Sequence, residues 1–287
     1  MHSLTLHSPA KLNLALRVLR RRKDGCHELV TLFHRISLKD TLQLRKRSEG
    51  IRLLCSHAQV PKKSNLIVRA FHLLKKRYPF AGGVLVRLEK RIPIGGGLGG
   101  GSGNAAAFLL GMNRLFQLRL TRDQLMKIGG ELGSDIPYFI SGARHAIGRG
   151  RGDRIEPLPF KRRLWFILFP SRRGLSTRRV YCHFLLRQPL TRLDHSVRMA
   201  SAFLEQGNLK AAVQFSGNDL QESAEKIRPS LKKTRESLND LQLGTCQMSG
   251  SGPTLFVVFH SQKKACEALR QFRKHRLGRN AVLCHSD

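Results

Sequence analysis

A glycine-rich segment near the middle of the chain limits what this sequence can fold into more than any other feature. Six of the seven residues from Gly95 to Gly101 are glycine, and an alanine-rich apolar run follows at once. Glycine inside a helix or strand costs roughly 0.5–1 kcal/mol relative to alanine. A run of this length therefore weakens a fold unless a ligand needs the backbone bare, and a purely structural turn is the alternative.

The flanking residues predict a strand before this segment and a helix after it. Val84, Val86 and Leu88 fall on one face of the segment from Val84 to Ile92, which is the period of a half-buried strand. Beyond the glycines, apolar residues follow the period of a helix packed on a sheet: Ala105, Phe108, Leu109, Met112, Leu115 and Phe116. Such a loop places unpaired backbone N–H groups at the positive end of a helix dipole, where glycine lets an anion approach. The sequence therefore predicts a phosphate-binding loop.

Two common phosphate-binding motifs do not account for this loop. Gly95, Gly97 and Gly100 have the spacing of the dinucleotide fingerprint, but a run of glycines matches almost any glycine pattern. No acidic residue ends a strand about 20 residues later, as that motif requires. The P-loop pattern fails because Gly101 stands where its lysine should precede Ser102.

Composition indicates a globular protein with its own core. The chain has 287 residues, of which 41% are hydrophobic and 25% charged, enough for one large domain or two ordinary ones. No apolar run approaches the roughly 18 residues of a membrane span. The N-terminus alternates and carries charge, so we expect neither a signal nor a transit peptide. The six cysteines are dispersed and form no metal-ligand spacing with histidine, so we expect reduced thiols, a cytoplasmic location and no protein metal site.

The formal net charge of +33 is extreme. Nucleic-acid binding is one interpretation. However, the basic residues are spread along the whole length, there is no basic tail, and the 7% of aromatic residues are few for a base-stacking surface. We favour a solvated basic surface, or steering of a polyanionic small substrate, over nucleic acid as the main partner.

The rest of the chain alternates strands with helices. We expect strands at Leu4–Ser8, Leu12–Leu19, Ile36–Arg45 and Ile51–Ser56. An amphipathic helix follows from Asn65 to Arg77, and Thr121 and Ser134 are expected as N-caps of two further helices.

The second half begins near a stretch rich in glycine, proline and arginine at Gly148–Pro159, where we place a domain boundary. Beyond it we expect a strand at Trp165–Phe169 and several helices between Thr177 and Leu241. A strand–turn–strand at "TCQMSGSGPTLFVVF" and a final helix and strand complete the chain.

Three stretches, in this order and spacing, resemble the three motifs of the GHMP small-molecule kinases: "SPAKLNLAL", "IPIGGGLGGGSGNAAA" and "MSGSGPTLF". More narrowly, "PAKLNL", "DGCHELVTLF", "NLIVRA", "GGGLGGGSGNAA" and "GSDIPYF" resemble the branch that phosphorylates a cytidine diphosphate conjugate of methylerythritol. The five stretches extend across most of the chain.

The resemblance implies an α+β fold of two domains. Residues 1–153 would form an N-terminal ATP-binding domain, a ribosomal-S5-like mixed sheet with helices. Residues 154–287 would form a ferredoxin-like α+β domain, with the active site in the cleft between the two. The implied state is a monomer or a homodimer.

The implied reaction moves a phosphoryl group from ATP to the tertiary 2-hydroxyl of the methylerythritol unit, giving the 2-phosphate and ADP in the non-mevalonate isoprenoid pathway. Asp135 matches the catalytic carboxylate and is our candidate general base, although a helix-capping aspartate is an alternative. Lys11 matches the catalytic lysine, which would keep Asp135 ionised and lower the pKa of the substrate hydroxyl. The implied ATP-binding residues are Asn65, Leu66, Pro93, Gly95, Gly96, Gly97, Leu98, Gly99, Gly100, Gly101, Ser102 and Gly103.

For the second substrate, the resemblance implies that Asn13 reaches the substrate or phosphate region beside Lys11. His27 matches the residue that recognises the cytosine edge, although a lone histidine is more often an ordinary polar residue. Phe33 and Tyr181 would flank the nucleotide, because an aromatic face is a natural partner for a base.

The chain departs from the family pattern at two positions. Cys26 stands before the histidine where the family commonly has an aromatic residue, so one stacking face on cytosine is missing or supplied from elsewhere. Gly103 replaces the second serine of the loop and leaves Ser102 as its hydroxyl. Mg²⁺ is expected with ATP, but the sequence gives no carboxylate that we would name as its ligand.

Two alternatives remain open. Another GHMP kinase, of the homoserine or mevalonate type, would share the glycine loop but not "DGCHELVTLF". A nucleic-acid-binding relic of a kinase would bind duplex or single strands with a steep dependence on salt.

Overall fold

A computed structural model describes residues 2–58, 65–171, 173–184 and 193–287, without the side chain of Leu193. Its strands are β1 (Ser3–Arg21), β2 (His27–Arg47), β3 (Ile51–Cys55), β4 (Gly83–Glu89), β5 (His145–Gly150), β6 (Arg154–Pro157), β7 (Trp165–Phe169), β8 (Gln247–Met248), β9 (Leu255–Phe259) and β10 (Val282–His285). Its helices are α1 (Leu66–Arg77), α2 (Gly100–Leu115), α3 (Arg122–Leu132), α4 (Ile136–Ser141), α5 (Thr177–Cys182), α6 (Leu193–Gln206), α7 (Leu209–Phe215), α8 (Gln221–Ile227), α9 (Pro229–Asp240) and α10 (Gln262–Lys274).

Residue contacts divide the chain into two compact units. The first unit comprises Met1–Ala10, Leu38–Ile94 and Gly99–Ala143. The second comprises Lys11–Ser37, Gly95–Leu98 and Arg144–Asp287. β1, β2 and the glycine loop therefore each contribute one part of their length to each unit.

The first unit is a sheet with helices packed on it. β4 pairs antiparallel with the second half of β2, with Leu44 opposite Val86, and parallel with β3. Leu42, Leu44, Val84 and Val86 are fully or almost fully buried. α2 packs closely on this sheet at Gly111, where a Cβ atom would lie 2.5 Å from Leu44 Cδ1. The apolar period of the sequence thus becomes the helix-on-sheet core that holds the start of α2.

The second unit contains two groups of paired strands. β5 pairs antiparallel with the first half of β2 and with β6. A separate antiparallel sheet has the order β10–β7–β9–β8. Its core is apolar and includes Ile167, Val257, Leu255, Leu269 and Phe272.

Several predicted elements are confirmed. α1 begins where Asn65 accepts a hydrogen bond from the Ile67 N–H. Thr121 caps α3 in a reciprocal capping box with Gln124. The strands, helix and strand–turn–strand predicted after residue 164 are present, although residues 185–192 lie outside the described part of the chain.

Other boundaries differ from the prediction. The two strands expected at Leu4–Ser8 and Leu12–Leu19 are one strand, β1, which continues through Pro9. The strand expected at Ile36–Arg45 is the second half of the longer β2. The N-cap position of α4 is Asp135 rather than Ser134.

The predicted α+β class, with a mixed sheet and helices, is confirmed. The division into residues 1–153 and 154–287 stays a prediction. In the structure that point lies in the turn between β5 and β6, which pair with each other through Arg149 and Arg154. No helix in the described residues is long and apolar enough to cross a membrane.

Candidate active site

The first part of the glycine loop is held by its carbonyl groups. All four carbonyls from Gly95 to Leu98 accept hydrogen bonds within the second unit: Gly95 from Leu175 N at 3.4 Å, Gly96 from Thr254 N at 3.2 Å, Gly97 from Ser249 Oγ at 3.1 Å and Leu98 from Lys11 N at 3.0 Å. No N–H of these four residues donates to another described residue. The loop is thus fixed from its carbonyl side, while its amide groups keep their hydrogen-bond donors uncommitted among the described residues.

The strand–turn–strand near the C-terminus lies against this part of the loop. A Cβ atom on Gly97 would lie 2.3 Å from the Ser249 carbonyl oxygen, and the backbone there has a φ of +76°. Only glycine fits such an approach with a positive φ. Within the second unit, the predicted loop and the "MSGSGPTLF" stretch therefore meet.

The second part of the loop begins α2 in the first unit. No side chain caps this helix end, and its first turn has no acidic residue. Gly101 is exposed, and a Cβ atom added there would meet only Leu66 Cδ1, at 3.9 Å. The open helix N-terminus can accept an anion, because the first-turn amides have no partner inside the helix.

Two predicted ATP-binding segments come together in the first unit. Leu66 lies beside Gly101, and Asn65 accepts a hydrogen bond from the Ile67 N–H at 2.9 Å, as a helix cap does. Ser102 Oγ lies 3.9 Å from the Cβ position of Gly133, in the "GSDIP" stretch. Pro93, half-buried, precedes the turn that begins the loop.

A buried ion pair holds the segment that leads into the loop, and sequence reasoning missed it. Asp40 is fully buried and pairs with the Lys90 ammonium. Its Oδ1 also accepts hydrogen bonds from the backbone N–H groups of Arg91 and Ile92, at 2.7 and 2.9 Å. A carboxylate that accepts several donors is a rigid anchor. The sequence gives little indication of this ion pair, because Asp40 and Lys90 are 50 residues apart.

Lys11 and Asn13 belong to one buried network in the second unit. The Lys11 ammonium donates to Asn13 Oδ1 and also lies 5.4 Å from the centre of the Phe33 ring. Asn13 Nδ2 donates to Thr31 Oγ1 at 2.7 Å. The Asn13 N–H donates to Ser249 Oγ at 3.1 Å. The structure thus brings Asn13 beside Lys11, and it adds Thr31 and Ser249, which sequence reasoning did not identify.

Asp135 occupies the N-cap position directly before α4. Its side chain makes no capping hydrogen bond to that helix, and the residue is half-buried. The helix-capping alternative is therefore not what the carboxylate does here. The general-base role stays a prediction.

His27 lies in an aromatic cluster of the second unit. Its ring stacks on Tyr181, with centroids 5.1 Å apart and planes 29° apart, and meets the edge of Phe184 at 6.1 Å. Burial, followed by the nearby Arg21 charge, lowers the pKa of His27. The imidazole is therefore neutral at neutral pH and offers one donor and one acceptor nitrogen. Cys26, where the family commonly has an aromatic residue, is exposed.

Phe33 has a different environment from the predicted one. Its ring is fully buried, and a Cβ atom on Gly148 would lie 2.4 Å from Phe33 Cε2. No face of the ring is open to a nucleotide in this structure, because Gly148 and the Lys11 ammonium lie against it. The ring therefore packs beside the Lys11 ammonium in this structure, and its contact with the nucleotide stays a prediction.

The departure at Gly103 has a local cause. A Cβ atom at this position would lie 2.7 Å from Ser8 Oγ and 3.1 Å from the Pro9 carbonyl oxygen. A serine would need the Ser8 hydroxyl to move, because a Cβ atom does not approach a non-bonded oxygen as closely as 2.7 Å. Among the described residues, no group of three or more His, Cys, Asp or Glu side chains could hold a metal ion.

Comparison with known proteins agrees with this arrangement of motifs. The family model "GHMP kinases N terminal domain" matches residues 65–143, and "GHMP kinases C terminal" matches residues 199–276. These two matches span the glycine loop, the "GSDIP" stretch and the "MSGSGPTLF" stretch. The chain belongs to the GHMP kinases and is a small-molecule kinase.

Full-length relatives narrow the family. The 4-diphosphocytidyl-2-C-methyl-D-erythritol kinase of Syntrophus aciditrophicus is 38% identical over 268 residues, covering 92% of this chain and 93% of the relative. The enzyme of the same name from Moorella thermoacetica is 39% identical over 260 residues, covering 90% of each chain. The chain belongs to the 4-diphosphocytidyl-2-C-methyl-D-erythritol kinase family.

Comparison with solved structures supports the same family. A crystal structure of 4-(cytidine 5'-diphospho)-2C-methyl-D-erythritol kinase superposes with a TM-score of 0.76 and 31% identity, covering 98% of both chains. A homoserine kinase from Cytophaga hutchinsonii superposes with a TM-score of 0.71 at 16% identity, which shows a shared fold only.

Proposed function

We propose that this chain transfers the terminal phosphoryl group of ATP to the 2-hydroxyl of 4-diphosphocytidyl-2-C-methyl-D-erythritol, giving the 2-phosphate and ADP in the non-mevalonate isoprenoid pathway. Relatives that carry this kinase name align over nine-tenths or more of the chain at 34–39% identity. The structural observation that carries the proposal is the glycine loop, whose first four carbonyls are all bonded to protein while their amides are not.

The loop is the proposed site of the ATP phosphates. Its amide groups, followed by the uncapped start of α2, supply donors and a positive dipole end to an anion. These donors are fixed before the substrate arrives, so they need little reorganisation as charge develops on the transferred group. Mg²⁺ would accompany ATP and supply charge neutralisation at the phosphates, and Ser102 is the loop hydroxyl that would help to hold it.

Asp135 is the proposed general base and accepts the proton of the 2-hydroxyl as the alcohol oxygen attacks the terminal phosphorus. The position of Asp135 supports this role, because the residue is half-buried directly before α4, in the "GSDIP" stretch that matches the family motif. Lys11 supplies a fixed positive charge that lowers the pKa of the attacking hydroxyl. Asn13 holds the Lys11 ammonium in place.

The proposed site for the cytidine end is the His27 cluster. A neutral imidazole pairs with the donor and acceptor edge of cytosine, and Tyr181 and Phe184 supply aromatic faces near it. Cys26 stands where the family commonly has an aromatic residue, and Tyr181 or Phe184 would supply the stacking face that is missing there. A cytoplasmic location and a monomeric or homodimeric state are part of the same proposal.

A coupled ADP-release assay tests the proposed function. The purified chain with ATP and Mg²⁺ is offered the cytidylylated methylerythritol, homoserine and mevalonate in parallel. We expect turnover with the first compound only. ADP release with homoserine or mevalonate instead would favour another GHMP kinase, and salt-dependent binding to nucleic acid without ADP release would favour the nucleic-acid alternative.

A further inference from the structure

We propose that Thr31 is a positioning residue for phosphoryl transfer, because its hydroxyl fixes the Asn13 amide and, through it, the Lys11 ammonium. The inference rests on the proposed function and adds to it a residue that never touches the substrate. Thr31 is 1% exposed and lies on β2, 18 residues from Asn13 in sequence.

The direction of each hydrogen bond follows from the number of protons available. The Thr31 hydroxyl has one proton, and it donates that proton to the Ala15 carbonyl oxygen at 2.7 Å. Its oxygen is therefore left as an acceptor, and Asn13 Nδ2 donates to it at 2.7 Å. Because the amide nitrogen is engaged there, Asn13 Oδ1 must face the Lys11 ammonium, which is a donor only.

The opposite orientation of the amide would be unfavourable. If the Asn13 amide turned over, its NH₂ group would face the ammonium, and two donors would meet in a buried space. Thr31 excludes this orientation only while its hydroxyl donates to Ala15. The three hydrogen bonds from the Lys11 ammonium to the Ala15 carbonyl thus all donate in the same direction, and the Thr31 hydroxyl fixes that direction.

The Asn13 backbone is held separately from its side chain. The Asn13 N–H donates to Ser249 Oγ at 3.1 Å, and Ser249 Oγ in turn donates to the Gly97 carbonyl. Loss of the Thr31 hydroxyl would therefore release the amide group while the strand stays in place. Because the backbone and the side chain of Asn13 are held by different groups, loss of the Thr31 hydroxyl should move the Lys11 ammonium without changing the fold.

The role predicts a particular kinetic signature. Lys11 acts on the reacting atoms in the proposed mechanism, so its misplacement lowers kcat more than it raises either KM. Thr31→Val removes the hydroxyl at nearly constant shape. We expect kcat to fall about tenfold, as for one ordinary hydrogen bond, with both KM values changed less than about twofold. Thr31→Ser keeps the hydroxyl and should restore most of kcat.

Thr234→Val is the matched control. Thr234 also donates its hydroxyl to a backbone carbonyl, that of Ser230 at 2.8 Å, but this bond is exposed on helix α9. This control should leave kcat unchanged. Thermal unfolding of all variants shows whether each protein folds. If Thr31→Val does not fold, Thr31→Cys takes its place, because a thiol of similar size is a weak donor and acceptor.

A double-mutant cycle with Asn13→Ala separates positioning from general structure. If Thr31 acts through Asn13, Thr31→Val costs nothing further in kcat once the amide is gone. The inference would be overturned if the kcat losses of the two single variants multiply in the double variant. It would also be overturned if folded Thr31→Val keeps the parental kcat, or if its change is confined to KM.

A last measurement does not depend on turnover. Acetic anhydride labels exposed amines, and peptide mass spectrometry reads the reaction at Lys11. We expect Lys11 to be labelled faster in Thr31→Val than in the parent, with Thr234→Val unchanged. If the parent chain fails to phosphorylate the cytidylylated substrate, the proposed function fails by itself. Equal labelling of Lys11 in the parent and Thr31→Val would contradict the positioning role in either case.

Discussion

Gly250 lies where no larger residue fits without disturbing Asn13 and Lys11. Its φ is +57°, and a Cβ atom there would lie 2.9 Å from Asn13 Oδ1 and 3.4 Å from Lys11 Nζ. The turn in the "MSGSGPTLF" stretch therefore closes over the two residues that match the family's "PAKLN" motif. This contact makes a small residue part of the proposed catalytic machinery.

Gly250→Ala should lower kcat by about tenfold or more, because the added methyl group pushes the Asn13 amide away from the ammonium. The same φ strain costs roughly 1–2 kcal/mol of stability. Gly50→Ala is the control, since Gly50 has a φ of +62° but nothing within 4 Å of its Cβ position. Steady-state kinetics and thermal unfolding of both variants check the prediction. An equal loss of kcat in the two variants would mean that backbone strain alone is responsible.

Asp135→Asn tests the general base at the same scale. The amide is nearly isosteric with the carboxylate but cannot accept the proton, so kcat should fall by roughly 10²–10⁴ while ATP binding is retained. Asp123→Asn, in the first turn of α3, is a matched control that should keep its activity. Titration calorimetry with ATP and the ADP-release assay make the comparison. An Asp135 variant with parental kcat would remove this residue from the mechanism.

At the scale of elements, the start of α2 combines weak local structure with an open surface. A helix usually begins with a side-chain cap and acidic residues, and α2 has neither. The helix is held instead by its packing, since Ala105, Phe108, Leu109 and Met112 are fully buried. The first turn of α2 is therefore less stable than a capped helix end would be, and an anion can approach its amides.

Gly101→Ala separates these two consequences. Alanine should stabilise α2 by roughly 0.5–1 kcal/mol, because the Cβ position is nearly empty. The same methyl group would obstruct the phosphate groups, so the KM for ATP should rise about tenfold through loss of one hydrogen bond. Gly130→Ala, in helix α3 with only Pro137 near its Cβ position, should stabilise without changing that KM. A parental KM for ATP in Gly101→Ala would place the phosphates elsewhere.

At the scale of the whole molecule, a buried histidine pair makes stability depend on pH. His34 Nδ1 lies 2.9 Å from His145 Nδ1, and their other nitrogens lie within hydrogen-bond distance of Ser286 and Ser201 hydroxyls. Burial lowers the pKa of His145 to about 3. Burial, together with the nearby His145 and arginine charges, lowers the pKa of His34 well below its ordinary value. Both rings are neutral in the folded protein at neutral pH.

The sign of the effect follows from proton binding. The unfolded chain takes up a proton on each ring near pH 6.5, and the folded chain does not. Stability is therefore full above about pH 7.5 and should fall by about 2–3 kcal/mol in total between about pH 7.5 and about pH 5.5. Urea unfolding across this range measures it. His145→Gln should reduce the slope, whereas His72→Gln, at an exposed site on α1, should not. A flat profile in the parent would contradict the burial of the pair.

Local rules predicted much of the fold. Asn65 and Thr121 were found because a cap followed by a periodic apolar run is a short-range signal. The glycine loop and its helix were found because a run of glycines followed by a periodic apolar run is also a short-range signal. β1 was divided in two because Pro9 resembles a break, although a proline can be accommodated in a strand when its missing N–H is not needed.

The candidate site was only partly predictable. The motifs supplied Lys11, Asn13 and the loop, but nothing local pairs Thr31 with Asn13 or Asp40 with Lys90. These contacts depend on strand register and on the direction of side chains, which a single sequence does not contain. Phe33 was assigned to the nucleotide because it is aromatic and near the motif, whereas its burial is a property of the packed unit.

The most direct test of the account is the position of the new phosphate in the product. The 2-hydroxyl of the substrate is on a tertiary carbon, so its phosphate ester has no proton on the carbon that bears the oxygen. After incubation with ATP and the cytidylylated methylerythritol, the ³¹P NMR spectrum should show a new monoester signal without three-bond coupling to a proton. A new signal that is split by such protons, or no new signal beyond those of ADP, would contradict the account.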